Sequence, residues 1–424
     1  MKVYLRTFGC RANHYDTEAV RALVESNGHA VVSTVDDADV AVFNSCAVTS
    51  DAEAELRKVV RRAAKDRPAL RSVVMGCAAA LDDARPTPTS IRALPTVDRV
   101  VPGADLVAIA DALELSIIDS RILTRSQSGT RALLRIQDGC DEHCTFCATT
   151  MARGANRSRP VDDIVREAIV LAERHQEIVI TGIHIGTYGT DIGSSLSRLV
   201  ERLVRDVGGA RFRLTSIEAT EIDALLFELL IDRSAALVPH VHAPLQSGSD
   251  RILRRMGRHW YTGGAYASAI EALATSCNVL GLGADIITGF PGETADDHAA
   301  TVSLVEQLPF TYLHVFPFSM RPGTAAERLP NRVAPAVADE RARELRGLAN
   351  AKATAYLASR SGGLADVIAI GPPRDRGREG LTEDYLTVNV PDVSIGRGER
   401  FRARLEGSAP SLVATRDVPV DAAV

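Results

Sequence analysis

No stretch of the 424-residue chain approaches the roughly 18 consecutive apolar residues that a membrane span needs, and the opening MKVYLRTFGCRANHYD has no apolar signal core. The expectation is a cytoplasmic protein with no membrane association, in a compartment where thiols stay reduced. An excess of positive charge is missing too, since 49 Lys+Arg against 54 Asp+Glu give a formal net charge of −5. A polyanionic partner must therefore be met by local basic patches rather than by overall attraction. Cysteine is scarce and odd in number, at seven, which argues against a disulfide framework. Low-complexity segments and close internal repeats are likewise absent. What remains is an ordinary globular composition, 46% hydrophobic and 24% charged, on a chain long enough for two or three domains.

Along that chain, short apolar runs alternate with helical stretches. In residues 1–102 the runs KVYLRTF, ADVAVFN and RSVVMG are separated by the helical patterns DTEAVRALVESNG and SDAEAELRKVVRRAAKDRP. Asp16 or Thr17 is the expected N-cap of the first helix, with Gly28 past its end, and Pro68 stops the second. That order predicts an α/β unit with a mostly parallel sheet. Residues 103–130 lack strong periodicity and read as a connector. From 131 the alternation returns six times, with strands in ALLRIQ, EIVITG, RFRLTSI, HVHAPL, GADIITG and YLHVFPF. Six βα units predict a partial (βα)6 barrel whose ligand sits at the carboxyl ends of the strands. A long helix trails it to residue 360. Residues 361–424 change character: DVIAIG, YLTVNV, ERFRARLEG and SLVATRD alternate between Gly, Pro and Asp, the pattern of a small C-terminal β-barrel.

Three cysteines, Cys140, Cys144 and Cys147, fall within eight residues as C-x3-C-x2-C, just past the first expected barrel strand. An iron–sulfur cube has four irons and takes thiolate ligands. A short loop wraps three of its corners at little closure-entropy cost. Omitting the fourth thiolate leaves one iron open for a small molecule, as catalytic metal sites retain an open position. Structural zinc is the competing reading, with His143 available as a fourth ligand, but zinc sites favour paired C-x2-C spacing. Cys10, Cys46 and Cys77 each end a predicted N-terminal strand, each about one βαβ unit from the next. Neighbouring strands lie only ~4.8 Å apart, so their ends can bring three thiols to one point. Spacing alone therefore implies a second three-thiolate site. Cys277 fits neither set and reads as a core thiol.

C-x3-C-x-aromatic-C, with Phe146 as the aromatic, resembles the motif of radical S-adenosylmethionine enzymes. The three spread cysteines ahead of it narrow the likeness to the methylthiotransferases. TFGCRANHYDTE, FNSCAVT, PLQSGSDRILRRMGR, DIITGFPGET and FPFSMRPGT resemble that family's blocks in family order, nearly end to end. TGIHIGTYG and SIEA are similar to the branch that modifies N6-threonylcarbamoyladenosine beside the tRNA anticodon. The branches acting on isopentenyladenosine in tRNA or on a ribosomal-protein aspartate stay open as alternatives. The resemblance implies a radical 4Fe-4S cluster on Cys140, Cys144 and Cys147 that binds and cleaves S-adenosylmethionine, and a second 4Fe-4S cluster on Cys10, Cys46 and Cys77 that carries sulfur. It further implies sulfur insertion and methylation at C2 of the adenine, a reductant such as flavodoxin or ferredoxin, a sulfur donor, and a TRAM-like RNA-binding role for the C-terminal module.

Residues at the expected strand ends complete the candidate site. Phe146, Gly182, His184, Glu218, Gln246 and Gly289 are placed to grip S-adenosylmethionine, the glycines by letting backbone approach closely. Arg153, Arg157 and Arg159, in ARGANRSR, are expected to contact tRNA phosphates while a flipped base enters the barrel mouth. A reading of another class, a zinc-stabilised RNA-binding protein without catalysis, is separated by metal analysis.

Overall fold

A computed structural model describes residues 1–47, 50–84, 90–117, 127–232, 236–375 and 377–417. In the N-terminal unit, strands β1 (Lys2–Thr7), β2 (Ala30–Val32), β3 (Val40–Ser45), β4 (Arg71–Gly76) and β5 (Val97–Pro102) form one parallel sheet in the order β2-β1-β3-β4-β5. β3 is central and buried along its whole length, as its near-continuous apolar run requires. Helices α1 (Arg11–Ser26), α2 (Ser50–Asp66), α3 (Cys77–Ala84) and α4 (Leu106–Ala112) cover the two faces. The strand order reverses between β1 and β3, and open α/β sheets bind ligands at that switch point.

Two expectations shift here. α1 begins at Arg11, with Cys10 in extended backbone at its N-cap, so neither Asp16 nor Thr17 caps it. Asp16 is instead buried inside the helix, where it pairs with Arg135 and Arg153. Part of the expected connector also belongs to the first unit, because α4 packs Ile109, Ala110 and Leu113 onto the sheet. Residues 118–126 of that connector lie outside the described residues.

The six expected barrel strands are all present: β6 (Ala132–Arg135), then, past the short pair β7 (Gln137–Asp138) and β8 (Arg157–Ser158), β9 (Glu177–Thr181), β10 (Arg211–Leu214), β11 (His240–His242), β12 (Gly281–Thr288) and β13 (Tyr312–Pro317). β6-β9-β10 and β11-β12-β13 are continuous parallel sheets, joined by the bridges Phe212–Leu237 and Ser216–His242. Helices α5 (Thr149–Arg153), α6 (Val161–Ala172), α7 (Leu196–Asp206), α8 (Ala224–Ile231), α9 (Asp250–Arg255), α10 (Gly263–Ser276), α11 (Ala295–Gln307) and α12 (Pro335–Arg360) follow or wrap the strands. Cys277 packs against this core, away from either thiol triad, as expected.

The C-terminal module is a closed barrel, β14-β15-β16-β18-β17, built from β14 (Leu364–Arg374), β15 (Gly377–Thr382), β16 (Thr387–Val390), β17 (Arg400–Ser408) and β18 (Ser411–Arg416). Four of these match the expected runs. β15, GREGLT, was not expected because its glycines and charges hide the alternation. The module closes the amino-terminal end of the radical barrel. Buried Arg211 and Arg213 of β10 donate to the carbonyls of Asp366, Leu381, Thr382 and Glu383, and Tyr385 lies 4.5 Å from the His240 ring.

Candidate active site

The loop carrying Cys140, Cys144 and Cys147 leaves β7 and returns through β8, so the short pair closes its base. Gly139 takes φ +73°, and a Cβ there would sit 1.9 Å from the carbonyl oxygen of Ala155, so no other residue fits. The loop is pinned on both sides. Thr145 N–H donates to Met256 at the end of α9, its hydroxyl donates to Arg255, and its carbonyl accepts from Ala326 N–H. The three cysteines face a cavity of about 250 Å3 at the carboxyl ends of the barrel strands. His184, Glu218, Gln246, Arg258, Trp260 and Asp285 share its wall.

Electrostatics there are set by paired charges. Arg258 is buried, pairs with Glu218, lies over the Trp260 ring, and aims a second nitrogen at Cys144 Sγ from 3.6 Å. Burial pushes the Cys144 thiol up to about 12 against the pull of Arg258, so this thiol ionises when a metal takes it. Burial opposes charge on His184, yet Cys140 (3.8 Å from Nδ1) and Glu221 (2.8 Å from Nε2) hold its imidazole up to about 10. Beyond Asp285, a hydrogen-bonded chain links His314, Asp285, His242, Tyr312 and His240 from the open edge of β13 to the barrel floor.

The second triad is assembled by the parallel sheet. Cys10, Cys46 and Cys77 follow β1, β3 and β4, three adjacent strands, at their carboxyl ends. Gly9 takes φ +100°, and a Cβ there would collide with Cys46 at 2.5 Å. Asn13 lies between the loops: its amide donates to Phe8 and Ser45 carbonyls, and its Oδ1 is 3.6 Å from Cys10 Sγ and 3.9 Å from Cys77 Sγ. Cys10 sits at the N-cap position of α1 and Cys77 opens α3, so both thiols lie at helix N-termini. Burial raises the Cys77 thiol to about 11 against the nearby charge of Arg153.

Of the expected ligand-gripping residues, Phe146, His184, Glu218 and Gln246 line the cavity, and Gln246 is held at an unusual φ of 63°. Gly182 and Gly289 lie behind it. Gly182 makes room for Gln137 Oε1, which accepts from the N–H groups of Ile183 and His184, while Gly289 packs against Ala338 of α12. The arginine expectation needs correction. Arg153 is buried, with its donors engaged by Asp16, Asp138, Asn13 and Cys77, and is no surface cation. Arg159 is largely covered and pairs with Glu167, while Arg157 stays exposed. Arg258, Trp260, Glu221, Asp285 and Asn13 went unnoticed in the sequence. The only signal was that Asn13, Arg258 and Asp285 fall within the blocks TFGCRANHYDTE, PLQSGSDRILRRMGR and DIITGFPGET.

Three thiols on one loop, open at the carboxyl ends of a partial (βα)6 barrel, define a radical S-adenosylmethionine enzyme. The radical SAM superfamily matches residues 134–305, and Uncharacterized protein family UPF0004 matches residues 2–98. A threonylcarbamoyladenosine tRNA methylthiotransferase, MtaB, of Bacillus subtilis is 34% identical over 410 residues, covering 91% of this chain and 89% of that one. A tRNA-2-methylthio-N(6)-dimethylallyladenosine synthase of Sorangium cellulosum is 34% identical, covering 97% and 94%. The solved radical S-adenosylmethionine methyltransferase TsrM of Kitasatospora setae superposes with a TM-score of 0.56 over 77% of this chain and 76% of that one, at 14% identity. The chain belongs to the radical S-adenosylmethionine methylthiotransferase family, a family of sulfur-transferring enzymes.

Proposed function

We propose that this enzyme inserts sulfur at C2 of N6-threonylcarbamoyladenosine beside the tRNA anticodon and methylates it, using a 4Fe-4S cluster on each cysteine triad. The observation that carries the reading is the meeting of two three-thiol sets across one five-residue helix, α5, which starts just after Cys147 and ends on Arg153 beside Cys77. At the usual 1.5 Å rise per residue α5 spans roughly 7.5 Å, so the loop of one triad and Cys77 of the other lie at the two ends of one short helix. The residues fit the groups. Each donor set is three thiols, and among the described residues Glu218 Oε2 and Trp260 Nε1 are buried without a partner in the first cavity. Such atoms await a polar ligand. When bound, the cofactors supply an open iron position for S-adenosylmethionine, one electron for its cleavage, and a store of sulfur.

The protein's part is to hold, orient and exclude water. Glu218, Gln246 and Trp260 offer polar contacts to S-adenosylmethionine, and Arg258 balances the charge of Cys144. The C-terminal barrel closes the floor. A threonylcarbamoyl group carries a carboxylate and a hydroxyl, whereas a dimethylallyl group is apolar. The cavity wall is polar and includes the basic side chains His184 and Arg258, which favours a substituent bearing a carboxylate over an apolar one. Arg157 beside the loop and Arg402 and Arg404 on the outward face of β17 offer exposed cations to the tRNA backbone. A reductant such as flavodoxin or ferredoxin and a sulfur donor complete the partners.

Two measurements test the reading. Anaerobic reconstitution should load about eight irons per chain, falling to about four when either triad is replaced by alanine. Zinc in place of iron would reject the cofactor assignment. Mass spectrometry of tRNA nucleosides from a deletion strain should show the methylthio form of threonylcarbamoyladenosine missing and the parent nucleoside accumulating. Loss confined to the dimethylallyl-type nucleoside would move the enzyme to the other branch, and an unchanged profile would reject a tRNA substrate.

A further inference from the structure

We propose that Arg153 sets the reduction potential of the N-terminal cluster through its hydrogen bond to Cys77. The inference rests on the reading of Cys10, Cys46 and Cys77 as cluster ligands. Arg153 is the last residue of α5, and its side chain is only 2% exposed. A guanidinium buried this deeply is costly unless its charge and donors are met. One terminal nitrogen meets Asp16 at 2.7 Å and Asn13 Oδ1 at 2.8 Å, and the other meets Asp138 at 3.0 Å. Those contacts already help tie the two domains together, beside Arg135–Asp16 and Tyr15–Glu167. The remaining donor, Nε–H, points at Cys77 Sγ from 3.2 Å, where a purely structural ion pair needs nothing.

Asp16 also pairs with Arg135, which in turn lies 3.6 Å from Asp138, and the exposed Arg157 reaches Asp138 at 3.7 Å, so two carboxylates meet two covered guanidiniums and a third at the rim. The two carboxylates and Asn13 hold the Arg153 fork with its third donor aimed at sulfur. An N–H···S bond to a cluster thiolate stabilises the more negative, reduced state and raises the potential. The radical triad has a looser counterpart. Arg258 stands 3.6 Å from Cys144, and another of its nitrogens pairs with Glu218. The two centres are thereby made inequivalent by their arginines. The fork itself also fixes where the end of α5 lies against Cys77.

The test isolates the second cluster by replacing Cys140, Cys144 and Cys147 with alanine in the full-length chain, then follows its midpoint potential by an anaerobic redox titration read by electron paramagnetic resonance. Arg153→Gln in that background should keep its iron and titrate at a lower potential than the parent, with Arg153→Lys in between, because lysine restores charge without the aimed Nε–H. Equal potentials in all three proteins would overturn the proposal. Loss of iron from both variants would mark Arg153 as a domain strut only and would overturn it equally. A parent background that takes up no iron would sink the ligand assignment itself, an outcome separate from any effect of Arg153.

Discussion

Replacing Cys144 with alanine is expected to abolish reductive cleavage of S-adenosylmethionine, whereas replacing Cys77 should leave that cleavage in place and abolish sulfur insertion. The contrast follows from the division of the thiols. Cys144 lines the cavity with Glu218, Gln246 and Trp260, and Cys77 lies across α5 in the other domain. With one of three ligands gone the first site cannot hold its cluster, and the enzyme loses the ~10^6-fold or greater acceleration that enzymes commonly supply. Arg258 would also keep its charge with no thiolate beside it, so partial rescue is not expected. The assay is anaerobic, with dithionite as reductant, and counts 5′-deoxyadenosine and methylthiolated nucleoside separately. Deoxyadenosine production by Cys144→Ala at the parent rate would overturn the assignment, as would full product formation by Cys77→Ala.

The second large effect is on stability. Glu177 is fully buried and accepts from three guanidiniums: Arg131 at 3.2 Å, Arg211 at 2.7 Å and Arg213 at 2.9 Å. The same two strand arginines reach across to the C-terminal barrel, so this carboxylate holds in place the cations that dock it. Glu177→Gln leaves Arg211 and Arg213 buried without adequate countercharge and should cost about 3–5 kcal/mol, the range for breaking a buried pair from one side. Urea denaturation should show a lower midpoint, and limited proteolysis should release the module after α12. Unchanged stability would mean that Asp366 alone balances the pair. Burial by itself raises a carboxyl group, but here Arg213 and Arg211 outweigh it and hold Glu177 well below the usual range. A group depressed in this way contributes fully above its unfolded pKa of about 4.3 and loses its contribution as pH falls through the lower folded value. Docking should therefore survive about pH 5 and weaken only in stronger acid.

The parts of the site that sequence reading found are those written in local spacing. C-x3-C-x2-C places three thiols on one loop whatever surrounds it, and a cysteine ending each of three parallel strands needs only the sheet to bring them together. The failures share a cause. Arg153 stands among arginines in ARGANRSR and looks like its exposed neighbour Arg157, because nothing nearby in sequence reveals that Asp16, more than a hundred residues earlier, will bury it. Gly182 and Gly289 sit in the right turns, yet the space they leave is filled by Gln137 and Ala338 rather than opened to a ligand. Arg258 ends the block PLQSGSDRILRRMGR with nothing to single it out, and its role is set by its pairing with Glu218.

The amino-acid order therefore determined what chemistry is possible: which thiols group in threes, how many βα units carry them, and that a small β module ends the chain. Only the folded molecule decided how the pieces are wired. Whether a cation meets water or a sulfur depends on contacts between segments far apart in the chain. In the interior an ion is tolerated only where opposing charge and hydrogen bonds converge on it. That convergence is a property of the packed domains and is absent from any one stretch of sequence.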